Sequence, residues 1–225
     1  MAKKVFLSPS NQYDNVYAYG NTTEGVQCGK IADACNIALE RSGVDVMLMH
    51  DESMQTKCAE SNKFGADLHV PIHTNAFNGK VMGTRMFCYN SGRGMAACKA
   101  IFARVAPLSP GTSENIQVNQ KLYEVRVPAA PTAYIECEFH DTVEGAKWIV
   151  ENTTAIGEAI AHGICDYFGV TFKEPEQPKP VEPEKKDVLY RVQIGAYKIK
   201  ANAEKRQAEA KAAGFTDAFI VTVEQ

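Results

Sequence analysis

Basic residues are scarce in this sequence. Its 24 lysines and arginines stand against 27 aspartates and glutamates, which gives a formal net charge of −3 at pH 7 and a pI near 6.0. A protein that holds a nucleic acid duplex by its phosphates needs a concentrated positive field. The composition therefore argues against nucleic acid as a partner.

Long apolar runs are also missing. Residues 1–9 contain two lysines and then only three apolar residues before serine and proline follow. A membrane-spanning helix needs about 20 apolar residues, and a secretory signal needs an apolar segment of roughly 7–15. We therefore expect no membrane insertion, no signal peptide and synthesis in the cytoplasm.

The cysteines show no pairing pattern. There are seven, an odd number, and no Cys-x-x-Cys spacing occurs among them. Scattered cysteines of this kind are typical of reduced thiols in a cytosolic protein rather than of a disulfide framework or a zinc ribbon. They are Cys28, Cys35, Cys58, Cys88, Cys98, Cys137 and Cys165.

Predicted strands and helices alternate over the first 170 residues. The chain has 225 residues, 45% of them hydrophobic, which is enough for one sizeable core and a small extra module. Alternation predicts an α/β fold with a mostly parallel twisted sheet and helices on both faces. The predicted strands are 4–9, 44–50, 68–73, 83–89 and 132–139. The predicted helices are 24–42, 52–65, 94–105 and 143–167, with a polar surface segment at 107–120 and an extended segment at 121–126.

One predicted strand ends at a histidine. In residues 68–73 the side chains of Leu68, Val70 and Ile72 share one face, and His69 and His73 share the other. Ligands of α/β proteins bind beyond the carboxyl ends of parallel strands, which is where His73 lies. His73 is thus either a metal ligand or an ordinary core histidine. The strand at 132–139, with Glu136 and the following His140, brings another acid and another histidine to a strand end.

Glu24 lies in the first turn of a predicted helix that Thr22 or Thr23 caps. A carboxylate there interacts favourably with the helix dipole, so Glu24 is either a helix-start acid or a ligand.

The carboxyl-terminal part differs in composition. Residues 172–187 contain four prolines and many charges, which is typical of a stiff linker. After it, strand 189–194, helix 201–213 and strand 218–223 are predicted as a small βαβ module. Fewer than 40 residues bury little core, so we expect this module to pair with another copy or with another surface.

Two resemblances follow from these segments. Residues 4–170 resemble the zinc-dependent N-acetylmuramoyl-L-alanine amidases of autolysins and phage endolysins. The motifs are the first strand and loop, Thr23-Glu24, Ile72-His73-Thr74-Asn75-Ala76, and Pro131-Thr132-Ala133-Tyr134-Ile135-Glu136 with Phe139 after it. The carboxyl-terminal residues resemble a shortened sporulation-related repeat, which binds peptidoglycan. The implied domains are a catalytic domain at 1–171, a linker at 172–187 and a cell-wall-binding module at 188–225.

The resemblance to the amidases implies a Zn²⁺ site. It makes Glu24 and His73 metal ligands and Glu136 the catalytic acid–base. It also suggests Asn75 as a substrate contact, and Arg126 is a candidate for binding a stem-peptide carboxylate. The family's first-loop histidine is missing, because Pro9-Ser10-Asn11 stands where relatives read Pro-Gly-His.

Three explanations of the missing histidine stay open. Asn11, Gln12 or Asp14 in the first loop supplies the ligand, His140 replaces it, or the metal is lost. The sequence favours His140, because imidazole is a far better zinc ligand than an amide oxygen.

The functional expectation is a peptidoglycan hydrolase of the endolysin type. It would cleave the amide bond between N-acetylmuramic acid and L-alanine with a zinc-activated water, at the bacterial cell wall. The alternative is a metal-free, degenerate murein-binding protein.

Overall fold

A six-stranded sheet forms the centre of the amino-terminal part. The computed structural model describes residues 2–175 and 190–223. The strands are β1 (Lys4–Pro9), β2 (Asp45–Leu48), β3 (Leu68–Asn75), β4 (Arg85–Cys88), β5 (Asn115–Val118) and β6 (Tyr134–Phe139). Their order in the sheet is β2-β1-β3-β6-β4-β5. Strands β1, β2, β3 and β6 run parallel, and β4 runs antiparallel to β6. The predicted α/β class and mostly parallel sheet are confirmed.

Helices cover both faces of this sheet. They are α1 (Glu24–Arg41), α2 (Met54–Phe64), α3 (Arg93–Val105), α4 (Tyr123–Arg126) and α5 (Val143–Phe168). Helices α1, α3 and α5 pack against one another and the sheet on one face, and α2 and α4 lie on the other. Helix α2 begins after Ser53, whose hydroxyl accepts the N–H of Thr56, and ends at Gly65 in the left-handed conformation that glycine adopts without strain.

The hydrophobic core fills the face under α1, α3 and α5. Val5, Leu7, Val70, Ile72 and Ile135 are each fully buried there. All seven cysteines are free, as the sequence predicts, and all seven are buried. Burial of such small apolar side chains stabilises the fold by about 25 cal/mol per Å² of apolar surface removed from water. In the described residues, no helix has the length and apolar character to cross a membrane.

Two predictions for this part are corrected. The segment at 107–120, predicted as a polar surface segment, contains β5, which pairs in parallel with β4. The segment predicted as extended at 121–126 contains α4 instead. Helix α4 is a single four-residue turn, so it is too short for a helical apolar period to reveal it.

The chain divides into two compact units after Pro175. Of the predicted linker, residues 172–175 are described, and the remainder lies outside the described residues. In the second unit, helix α6 (Lys200–Ala212) confirms the predicted helix. The predicted strand at 218–223 has no strand pairing, and neither do the described residues 190–194 of the other predicted strand. A strand needs a hydrogen-bonded neighbour, and this short unit offers none in its described residues.

Candidate active site

The first loop is folded against the start of α1. Thr23 stands at the N-cap position without a side-chain capping bond. Loop carbonyls do the capping: Glu24 N–H donates to Asn15 O at 2.9 Å and Gly25 N–H donates to Gln12 O at 3.1 Å. The Tyr13 ring lies so close to Gly25 that a Cβ there would be 2.7 Å from the ring. This wrapping brings the side chains of Gln12 and Asn15 to Glu24.

Glu24 and His73 meet at the carboxyl ends of the parallel strands. His73 Nδ1 and Glu24 Oε1 are 2.9 Å apart, and both residues are buried. Gln12 Nε2 lies 3.3 Å from Glu24 Oε1 and 3.4 Å from His73 Nδ1. Asn15 Nδ2 donates to the other Glu24 oxygen at 2.8 Å. The structure therefore brings together the two predicted ligands and Gln12, one of the predicted first-loop alternatives.

The charges of this pair are set by their neighbours. Burial alone would lower the pKa of His73, but its contacts with Glu124 and Glu24 raise that pKa to about 9. Burial alone would raise the pKa of Glu24, but the hydrogen bonds from His73 and Asn15 outweigh burial and lower it. At neutral pH the metal-free site thus holds an imidazolium against a carboxylate.

Glu136 stands beside His73 on the adjacent strand. The two residues are register partners between β3 and β6. Glu136 Oε2 is buried and has no hydrogen-bond partner within the described residues. Burial raises the pKa of Glu136 to about 7, although the nearby positive charge of His73 works against this rise. A carboxyl group with this pKa can both accept and donate a proton near neutrality.

The pairing of β3 with β6 slips by one residue just after this point. His73 pairs with Glu136, but Asn75 pairs with Phe139. Such irregularities redirect side chains and are common next to active sites. Arg85 of β4 pairs with Glu136 from the other side, and its Nε is likewise buried without a partner in the described part of the chain. Sequence reasoning missed Arg85, because nothing local in the sequence indicates that β4 runs beside β6.

The side chain of His140 contacts Thr74 and Tyr17. Its Nδ1 lies 2.9 Å from Thr74 Oγ1, and its ring stacks on Tyr17 with 4.9 Å between centroids. Burial lowers the pKa of His140. Its predicted role as third ligand stays a prediction, but the described contacts bring it to Thr74 and Tyr17 rather than to the Glu24–His73 pair.

Within the described part of the chain, no side-chain hydrogen bond joins Asn11 or Asp14 to Glu24 or His73. Asn11 Nδ2 donates to Glu52 O at 3.1 Å, and Asp14 is exposed. Of the four candidates for the missing ligand, Gln12 has described contacts with both Glu24 and His73.

The two predicted substrate contacts lie outside this cluster. Asn75, at the end of β3, uses its side-chain oxygen to accept the N–H of Ala76 at 2.9 Å. Arg126 is exposed, and its guanidinium lies 5.3 Å from the centre of the Tyr123 ring. Both residues keep their predicted roles only as hypotheses.

A second buried acid was missed by sequence reasoning. Glu124 of α4 is 4% exposed, and its Oε2 lies 3.9 Å from His73 Nε2. Its Oε1 lies 3.5 Å from His69 Nε2, which confirms that His69 and His73 share a face of β3. Burial alone would raise the pKa of Glu124, but contacts with His69, His73 and Ser8 lower it. Cys58, His69 and Glu124 also place possible ligand atoms within 4.8 Å of one another.

Comparison with known proteins identifies the family. The protein-family model described as N-acetylmuramoyl-L-alanine amidase matches residues 13–166 of the sequence. The family model of the SPOR domain matches residues 174–224. The chain is 26% identical over 226 residues to the sporulation-specific N-acetylmuramoyl-L-alanine amidase of Bacillus subtilis (strain 168), covering 97% of this chain and 84% of that protein. It is 24% identical over 229 residues to the amidase CwlM of Bacillus licheniformis, with the same two coverages, 97% and 84%.

Solved structures agree in fold. Cwp6 from Clostridium difficile superposes with a TM-score of 0.69 at 22% identity, over 74% of this chain and 29% of that longer chain. The catalytic domain of the amidase CwlV from Bacillus (Paenibacillus) polymyxa var. colistinus gives a TM-score of 0.68 at 15% identity, over 75% of this chain and 99% of that one. With its family model covering residues 13–166, this chain belongs to the N-acetylmuramoyl-L-alanine amidases, a family of peptidoglycan amidases.

Proposed function

We propose that this protein is a zinc-dependent N-acetylmuramoyl-L-alanine amidase, which cleaves the bond between the lactyl group of N-acetylmuramic acid and the L-alanine of the stem peptide. The observation that carries the proposal is the 2.9 Å contact of Glu24 Oε1 with His73 Nδ1, with Gln12 against both and Glu136 on the adjacent strand. Zinc takes carboxylate and imidazole ligands, and both are present here with their ligating atoms turned toward each other.

The side chains at the site fit such an ion. Glu24 would bind it through Oε1 and His73 through Nδ1, because these two atoms lie 2.9 Å apart, close enough to share one ion. Gln12 would complete the set through its amide oxygen once the amide turns over, which gives up the 3.1 Å bond from Asn15 to Gln12 Oε1. An amide oxygen is a weaker zinc ligand than imidazole. We propose Gln12 as the third ligand in preference to His140.

When bound, zinc supplies a Lewis acid that polarises the scissile carbonyl and makes water a better nucleophile at neutral pH. Glu136 does the proton chemistry. Its carboxylate takes a proton from the attacking water as the new C–O bond forms on the lactyl carbonyl. The protonated Glu136 then gives that proton to the amide nitrogen as the C–N bond breaks, which releases the free amine of L-alanine. The pKa of about 7 suits both steps.

A digest of purified cell-wall sacculi tests this function. We expect release of stem peptides with free L-alanine amines and no new reducing sugar ends. Thorough chelation should abolish the release and added zinc should restore it, with a Glu136→Gln variant as the matched inactive control. New reducing ends would indicate a glycosidase, and activity that survives chelation would rule out the zinc mechanism.

The metal-free alternative is favoured by the first loop, where the amide of Gln12 takes the place of an imidazole. In this alternative the protein binds murein and does not cut it. Binding to sacculi without zinc uptake and without peptide release would establish the alternative.

Within the family, we propose an endolysin-type role on the basis of the resemblance noted in the sequence. Similarity to the sporulation-specific amidase of Bacillus subtilis makes a sporulation role the competing proposal. Walls of growing cells and walls of sporulating cells, digested in parallel, separate the two. An endolysin should degrade walls of growing cells readily, whereas a strong preference for walls of sporulating cells would favour the second role.

A further inference from the structure

Glu124 is a buried carboxylate with three polar neighbours. Ser8 Oγ donates to its Oε1 at 2.5 Å, and His69 Nε2 lies 3.5 Å from the same oxygen. Its Oε2 lies 3.9 Å from His73 Nε2, which is an ion-pair distance. His73 therefore stands between two carboxylates, with Nδ1 facing Glu24 and Nε2 facing Glu124.

We infer that Glu124 is a positioning residue for the proposed metal site, accepting the Nε2 proton of His73 so that Nδ1 is the nitrogen left free to bind zinc. The inference rests on the proposed function. A histidine that ligates a metal through one nitrogen commonly donates its other N–H to a carboxylate, which fixes the tautomer and strengthens the ligand. Nδ1 of His73 faces Glu24, and Glu124 Oε2 lies 3.9 Å from Nε2, so a small shift of this carboxylate would bring it within hydrogen-bonding distance of the Nε2 proton.

The surroundings hold Glu124 in place for this role. The bond from Ser8 and the proximity of His69 restrain the carboxylate, and His69 Nδ1 in turn pairs with Ser61 Oγ at 3.0 Å. The His73 ring is itself held from one side by the Tyr134 ring, with 4.7 Å between centroids. Both partners are therefore ordered before any metal binds, so little side-chain entropy is lost on binding.

The need for such help follows from the first loop. An amide from Gln12 in place of an imidazole makes the ligand set weaker, so more of the affinity must come from Glu24 and His73. A carboxylate behind His73 raises the donor strength of its Nδ1 and offsets part of that weakness.

The nearest competing assignment is a separate metal at Cys58, His69 and Glu124. Their possible ligand atoms lie within 4.8 Å of one another and are buried. Two observations favour the positioning role. Glu124 Oε1 already accepts a hydrogen bond from the Ser8 hydroxyl. The buried ammonium group of Lys57 on α2, which donates to Pro9 O at 2.6 Å, adds positive charge near this carboxylate. A second cation there would be repelled.

The test is zinc affinity of the folded, metal-free protein, measured by competition with a chromophoric chelator. We expect Glu124→Ala to bind zinc roughly 10–100-fold more weakly than the unmodified protein. Glu124→Gln should fall between the two, because its amide oxygen still accepts a hydrogen bond but carries no charge. Cys58→Ser is the matched control, since it alters the neighbouring cluster without touching His73, and its affinity should not change.

A second readout separates positioning from a general loss of structure. In ¹⁵N NMR of the zinc-loaded protein, the His73 ring should carry its proton on Nε2, and Glu124→Ala should lose the slowly exchanging Nε2–H signal. If Glu124→Ala fails to fold, Glu124→Gln and Ser8→Ala give the same comparison.

Each contrary outcome has a distinct meaning. Unchanged zinc affinity in Glu124→Ala, with zinc bound by the unmodified protein, overturns the inference alone. Two zinc ions per chain, reduced to one by Cys58→Ser, would make Glu124 a metal ligand and overturn it as well. No zinc binding by the unmodified protein overturns the proposed function and this inference together.

Discussion

The two faces of the central sheet are chemically opposite. The face under α1, α3 and α5 is lined by aliphatic side chains such as Leu7 and Ile135, and it is sealed from water. The face under α2 carries Ser8, His69 and His73, and the short helix α4 adds Glu124. Successive residues of one strand place their side chains on opposite faces of the sheet, because strand side chains alternate. Stability and chemistry are thus built on opposite sides of the same backbone.

The largest effect on the polar face should come from Glu136. Glu136→Ala removes the group that moves the proton, so we expect turnover to fall by roughly 10²–10⁴-fold at saturating zinc. The measurement is the initial rate of peptide release from sacculi, with metal content determined by mass spectrometry. Glu136→Ala should retain zinc and His73→Ala should lose it. Equal metal content in the two variants would refute this division of roles.

The apolar face should respond in the opposite way. Leu7 is fully buried and precedes Ser8 on β1. Leu7→Ala leaves a cavity, so we expect the free energy of unfolding to fall by about 2–5 kcal/mol. Zinc affinity measured well below the unfolding transition should stay at the level of the unmodified protein. Urea unfolding gives the first quantity, and a large loss of zinc affinity in Leu7→Ala would show that the faces are not independent.

The sequence also predicts the two faces of the sheet to different extents. The apolar face is predicted well, because the periods of α1 and α5 and the alternation in β3 are local signals in the chain. His69 and His73 are placed correctly on the other side of β3 for the same reason.

The polar face is only partly predictable, because it depends on contacts distant in sequence. Glu124 lies in a single helical turn and meets Ser8 across 116 residues, so no local pattern reveals it. Gln12 contacts His73 from a loop whose carbonyls cap α1. The family pattern indicates that a histidine ligand is missing from the first loop, and ligand chemistry alone favours the imidazole of His140 as its replacement. In the folded protein, the first loop instead brings the amide of Gln12 into contact with His73.

The third-ligand question is a smaller test of the polar face. Gln12→Ala should weaken zinc binding by about tenfold, or ~1.4 kcal/mol, since an amide oxygen is a modest ligand. His140→Ala should weaken it less, because His140 Nδ1 is paired with Thr74. Gln12→His should bind more tightly than the unmodified protein. Chelator competition measures all three, and loss of metal in His140→Ala with retention in Gln12→Ala would return the role to His140.

The last expected effect concerns the metal-free fold, whose stability depends on the ionisation of Glu136. Burial raises the pKa of Glu136 from 4.5 to about 7, so the folded state holds this proton more tightly than the unfolded state does. Its contribution to stability is complete below pH 4.5 and is lost as the pH rises through 7. The pKa of His73 is raised from 6.5 to about 9, so its contribution to stability is also lost as the pH rises, between pH 6.5 and pH 9. His73 is present both in the unmodified protein and in Glu136→Gln. The comparison is made with a chelator present, so that no metal is bound. The free energy of unfolding of the unmodified protein should then fall between pH 5 and pH 7 relative to that of Glu136→Gln, because the glutamine side chain does not ionise. By pH 8 Glu136→Gln should be the more stable of the two. Urea titrations at pH 5, 6, 7 and 8 measure the difference, and two curves that stay parallel would mean that Glu136 ionises in the folded protein at its ordinary pKa.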